Sequence, residues 1–108
     1  AHIAANYNLD NLICIVDNNK SSKNLLPVDN LYKKWIAFGW YVLKANGHSM
    51  KSMENAFKKI DKKKDKKPSV IIANTIKGKG IYFMENNGKW HHKVPNKNEF
   101  DRINKILN

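Results

Sequence analysis

Residues 13–22, Ile-Cys-Ile-Val-Asp-Asn-Asn-Lys-Ser-Ser, pass from four apolar side chains straight into a carboxylate, two amides, a lysine and two hydroxyls. Asp and Asn are poor strand residues and good turn residues. A ligand-binding loop is one explanation of such a cluster after an apolar run, and an ordinary turn at Asn19 is the other. A second polar cluster, Ile-Lys-Gly-Lys-Gly at 76–80, follows the apolar run Ser-Val-Ile-Ile-Ala-Asn-Thr at 69–75. A third group, Trp90-His91-His92-Lys93, lies further on. The single cysteine, Cys14, sits inside an apolar run and reads as a small buried hydrophobe in a reducing compartment. A catalytic or metal-binding cysteine wants a partner nearby, and the sequence shows none.

The elements that must position these clusters are short. Residues 11–17 form a continuous apolar run and predict a strand buried on both faces, as in a parallel sheet. Residues 18–28 are polar, close at Pro27, and read as a loop. Asp29 or Asn30 can cap the next helix, whose apolar face is Leu31, Trp35 and Phe38 and which Gly39 ends. Residues 40–45 are a second strand, followed by an Asn46-Gly47 turn. Ser49 caps a helix with the apolar face Met50, Met53, Phe57 and Ile60, and Pro68 closes that unit. The third strand spans 69–75. Asn96 to Glu99 has the pattern of a capping box, with Phe100, Ile103 and Leu107 forming one face of a last helix. Residues 1–8 read as the end of a helix with His2 on its surface, and residues 81–95 have no clear period. Apolar strands alternating with helices predict an α/β fold, a parallel sheet with flanking helices. Ligands bind beyond the carboxyl ends of such strands, where the first two polar clusters fall.

Length and charge set the remaining bounds. The chain has 108 residues, enough for one small domain over 1–108. No apolar stretch is long enough to cross a membrane, and residues 1–10 lack the regions of a signal peptide. The formal net charge is +11, which raises nucleic-acid binding. Of the 20 basic residues only Arg102 is Arg, and base readout favours the Arg fork, so no nucleic-acid partner is expected. The densest run, 58–67, reads as a solvated helix end and linker.

The segments "LDNLICIVDNNK", "KKWIAFGWYV", "ANGHS", "PSVIIANTIKGKG", "FMENN" and "WHHKVPN" together resemble the thiamine-diphosphate domain of transketolases, above all the separate N-terminal subunit of split enzymes. The resemblance covers nearly the whole chain in the correct order. It implies a partial thiamine-diphosphate-binding fold, the C-terminal part of that domain. It also implies thiamine diphosphate as cofactor with a magnesium or calcium ion. By the family's pattern the side-chain oxygen of Asn19 and the main-chain carbonyl of Ser21 bind the metal. Hard cations take such oxygen ligands. Asp17 and Asn18 flank the site without a direct role. His91 would lie against the diphosphate and the reacting sugar, Lys77 would reach phosphate, and Ile81 would pack nearby. His92 stands where the family has Gly, and the loop between Asn19 and Trp35 is shorter than usual.

The resemblance further implies what would lie elsewhere. The family's Gly-Asp-Gly segment would precede Ala1. The pyrimidine-binding domain would belong to a partner, the C-terminal transketolase subunit. The parent activity would be two-carbon ketol transfer between sugar phosphates in the cytoplasm, with this chain inactive alone. Apolar surface left bare by such an arrangement predicts a poor monomer or a homo-oligomer. The rival readings are a non-catalytic α/β remnant that oligomerises without cofactor, a related enzyme such as deoxyxylulose-phosphate synthase, and a Lys-rich nucleic-acid-binding module.

Overall fold

The computed structural model describes residues 1–21 and 30–108. The expected loop closing at Pro27, its shortening and the alternative cap Asp29 lie outside the described residues. Three six-residue strands form the sheet: β1 (Ile13–Asn18), β2 (Tyr41–Asn46) and β3 (Ser69–Asn74). All pairings are parallel and the order is β1-β3-β2. The α/β class expected from alternating runs is what the chain adopts.

Chain order and strand order together place the helices. The first crossover, through α2 (Leu31–Ala37), skips one strand position to reach β2; the second, through α3 (Met50–Lys62), steps back to β3. Right-handed crossovers running in opposite directions put their helices on opposite faces. Residues alternate along β3 accordingly. Val70 and Ile72 join Val42, Trp40 and Ala4 of α1 (His2–Asn6) on one side. Ile71 joins Ala45, Ala56 and Ile60 on the other. Central β3 is buried from Ser69 to Ala73, with Val70 and Ile71 fully inaccessible.

β1 departs from expectation. It is an edge strand with one face half covered: Cys14 and Val16 pack on the first cluster, while Ile13 and Ile15 are 37% and 51% exposed. α3 packs on β2 and β3 and does not reach β1, so the strand is not buried on both faces. Cys14 is accordingly half-buried and unpaired.

The helix ends follow local chemistry. Asn30 accepts from the Lys33 N–H at 3.4 Å and Ser49 from the Ser52 N–H at 3.2 Å, each satisfying a donor of the first turn. The apolar faces are narrower than predicted. Leu31 and Trp35 pack inward, but Phe38 follows the last turn of α2 and is exposed. Met53, Phe57 and Ile60 face the sheet with Ala56, whereas Met50 at the first position of α3 points to solvent. Within the lysine run, Lys63 is drawn in: its Nζ donates to the Lys67 carbonyl at 2.6 Å and pairs with Asp65 at 3.2 Å, closing the turn after α3.

α4 (Lys97–Leu107) begins with the expected capping box, Asn96 and Glu99 exchanging bonds of 2.9 Å. Among the described residues it packs on neither the sheet nor another helix, and Phe100 and Leu107 are exposed. Its partners are in the preceding segment, where Arg102 donates to the Tyr82 hydroxyl at 2.8 Å and lies over the Phe83 ring. The radius of gyration, 17.3 Å, reflects this outlying helix; a compact chain of this length would have about 13 Å. The Lys93 ammonium, then the Asn96 N–H, hold the Glu99 carboxyl below its ordinary pKa. A lowered folded-state pKa stabilises above it and loses that contribution as pH falls through it. Acidification through full protonation of Glu99 is therefore expected to fray the first turn of α4 before β3 changes. NMR amide shifts at Asn96–Phe100, read against those of Val70–Ala73, check this.

Candidate functional site

The carboxyl ends of all three strands meet at the residues that follow β3. On one side the Thr75 N–H donates to the Asn18 carbonyl at 3.3 Å, and Asn18 Nδ2 donates to Asn74 Oδ1 at 2.8 Å. On the other side the Gly47 N–H donates to the Asn74 carbonyl at 2.8 Å, and the Ile76 N–H donates to His48 Nε2 at 2.7 Å. His48 thus serves here as an acceptor through Nε2. Gly47 is required by closeness: a Cβ there would stand 2.4 Å from Thr75 Cγ2. The loop leaving β3 is thus anchored from β1 and from β2.

Beyond β1 the polar cluster is ordered. Asp17 accepts the Thr75 hydroxyl with Oδ1 and Asn19 Nδ2 with Oδ2, the latter at 3.2 Å. Asn19 Oδ1 accepts the Ser21 N–H at 2.9 Å. The amide of Asn19 therefore has a fixed direction, its oxygen end turned away from the carboxylate. A side-chain amide oxygen and a main-chain carbonyl are the kinds of ligand that a hard cation takes.

Residues 76–87 fold back on themselves. Gly78 has φ +76°, and a Cβ there would meet the Met84 carbonyl oxygen at 2.6 Å. The Ile81 N–H donates to the Gly78 carbonyl and the Asn86 N–H to the Lys77 carbonyl. Lys77 is half-buried in this loop, and Ile81 is 7% exposed, packed inside it. His91 ends a short 3-10 turn, Gly88–His91, and is exposed, its ring 4.4 Å from that of His92.

The structure brings Asn19 and Ser21 together. Among the described residues no hydrogen bond or ring contact joins Lys77, Ile81 or His91 to that pair. A cavity of about 460 Å³ opens at the ends of β2 and β3, lined by Lys20, Lys44, His48, Thr75 and Lys79 among others. Asn19, Ser21, Lys77, Ile81 and His91 are not part of its lining. The linking roles of His48 and Asp17 depend on strand order, which no local pattern announces.

Residues 1–107 match the family described as transketolase, thiamine diphosphate binding domain. An apulose-4-phosphate transketolase subunit from Phocaeicola vulgatus is 38% identical over 100 residues, covering 88% of this chain and 35% of that protein. Its namesake from Actinobacillus succinogenes is 45% identical over 103 residues, 91% of this chain and 37% of its own. The chain thus spans about a third of the length of these relatives. Transketolase from Campylobacter jejuni superposes with a TM-score of 0.72 at 32% identity, over 82% of this chain and 14% of that one. Transketolase from Pichia stipitis, solved with sedoheptulose-7-phosphate, gives a TM-score of 0.82 at 17% identity, over 98% of this chain and 16% of that one, a likeness of fold.

Proposed function

The chain belongs to the family of transketolase thiamine-diphosphate-binding domains, and on that premise we propose that it supplies one side of a metal and thiamine diphosphate site in a transketolase-like transferase. The observation that carries the reading is the fixed amide of Asn19 beyond the end of β1, its nitrogen held by Asp17 and its oxygen accepting the Ser21 N–H. Asn19 Oδ1 and the Ser21 carbonyl would hold Mg2+ or Ca2+. Lys77 and His91 would bind the diphosphate, His91 also hydrogen-bonding the sugar, and Ile81 would support the loop beneath the cofactor. The cofactor, when bound, supplies an electron sink for two-carbon ketol transfer between sugar phosphates.

The two relatives are each named as one subunit of a transketolase, which supports an enzyme built from two kinds of chain. The partner would carry the pyrimidine-binding domain, and this chain alone would show no turnover. The bare flank of β1, with Ile13 and Ile15 exposed, supports association, including a homo-oligomer. Among the described residues no helix is long and apolar enough to cross a membrane. The cytoplasm is the proposed compartment.

Titrating Mg2+ with thiamine diphosphate into the chain, followed by the amide signals of Lys20 and Ser21, tests the reading. Asn19→Ala is expected to weaken binding by about 10- to 100-fold, valuing the lost oxygen like a hydrogen bond to a charged group. Equal affinity in the two proteins, or binding indifferent to Mg2+, would contradict it.

A further inference from the structure

We propose that Asp17, held by Thr75, is a positioning residue that decides which end of the Asn19 amide faces a bound cation. The proposal rests on the Asn19 assignment above and adds a residue to it. A carboxylate can only accept hydrogen bonds, whereas a side-chain amide has a donor end and an acceptor end. Asp17 Oδ2 takes Asn19 Nδ2, which commits the donor end. The oxygen then lies opposite, where it accepts the Ser21 N–H with one lone pair and has a second to which no described residue donates. Turning the amide over would set its oxygen against the carboxylate and its NH2 against the Ser21 N–H. Two attractive contacts would become two repulsive ones.

The carboxylate is itself held. Asp17 lies at the end of β1, and Asn19, just past the strand, reaches back to it. The register pairs Asn18 with Asn74, which places Thr75 beside them, and its hydroxyl donates to Asp17 Oδ1. Gly47 leaves Thr75 its room, since a Cβ at that position would overlap the Thr75 methyl. Among the described residues Asp17 forms no ion pair with a lysine. A line of three residues from three parts of the sequence therefore aims one amide oxygen.

The test uses the 15N-labelled chain. In the unliganded wild type the two Asn19 side-chain amide protons are expected to be resolved and to exchange more slowly than those of exposed Asn55. In Asp17→Asn they should exchange like Asn55, because the new side chain can donate and no longer selects one orientation. Affinity for Mn2+ with thiamine diphosphate, read from broadening of the Ser21 signal, should fall about 10-fold or more, as for partners of metal ligands generally. Thr75→Ser should keep both readouts and Thr75→Val should lose part of each, with unchanged Val70–Ala73 shifts showing an intact sheet. If the wild type binds and Asp17→Asn binds equally well, or the Asn19 protons are unaffected, the positioning role is overturned while the site stands. If Asp17→Asn loses binding and Asn19→Ala does not, Asp17 is itself the ligand and the proposal fails. If the wild type shows no broadening near Ser21, the site reading falls and takes the proposal with it.

Discussion

Replacing Ile71 by Ala is expected to lower the unfolding free energy by about 4 kcal/mol, near the upper end for a buried Ile. Ile71 is fully inaccessible in the central strand and packs between Ala45, Ala56 and Ile60. Two of those neighbours are alanines, whose short side chains cannot extend into the space left behind. The lost side chain would leave a cavity where β3 meets α3, and cavity cost adds to the lost transfer energy. Folded domains are held by only about 5–15 kcal/mol, so this change should remove between about a quarter and four-fifths of the stability. A urea titration against the wild type, at one protein concentration, measures it. A midpoint shifted by less than a tenth would contradict the placement of Ile71 in the core.

Gly78→Ala is expected to cost about 3 kcal/mol, concentrated in the loop that follows β3. The left-handed conformation costs an L residue about 1–2 kcal/mol. Beyond that, a Cβ 2.6 Å from the Met84 carbonyl oxygen forces backbone to move, because the opposing atom is not a flexible side-chain tip. The Ile81 and Asn86 amides, which donate to the carbonyls of Gly78 and Lys77, should lose their protection from hydrogen exchange. Val70 and Ile72 should keep theirs. Undiminished protection at Ile81 and Asn86 would show that the loop takes another path.

Much of this organisation is readable in the chain without coordinates. "SVIIAN" is apolar without alternation because both faces of a central parallel strand are covered. Ser49, and Asn96 with Glu99, announce helix starts because each supplies an oxygen to a free N–H of the first turn. The misreadings come from places where local pattern depends on neighbours. The run around Cys14 and Val16 looks as apolar as β3, yet strand order makes β1 an edge and leaves Ile15 half exposed. Met50 and Phe38 have helical spacing but sit at helix ends, past the margin of the surface that the sheet offers. Phe100 and Leu107 lie on an amphipathic face that no other described element covers. Lys63 reads in the sequence as one more solvated lysine; only the turn after α3 brings two carbonyls within reach of its Nζ.

The candidate site divides the same way. Asn19 and Ser21 are close in sequence, and their geometry follows from the strand end that carries them. Lys77 and His91 belong to a loop and a 3-10 turn whose course is set by Gly78 and by a segment without periodicity. The network joining Asp17, Thr75, His48 and Ile76 links residues far apart in the sequence. It exists because β3 lies between β1 and β2. Turn propensity signals the Asn46-Gly47 bend, but not that His48 closes onto the neighbouring strand's exit.

The measurement that bears most directly on the central claim is a map of paramagnetic broadening by Mn2+ with thiamine diphosphate over the amide signals of the whole chain. Such broadening falls steeply with distance from the ion and detects weak binding, which suits a chain proposed to supply two ligands. The account predicts that the Asn19 side-chain amide and the Lys20 and Ser21 main-chain amides broaden first, and only when the cofactor accompanies the ion. Broadening that centres instead on Asp61, Asp65 or Asp101, or that is the same with and without thiamine diphosphate, would contradict a cofactor site at the end of β1.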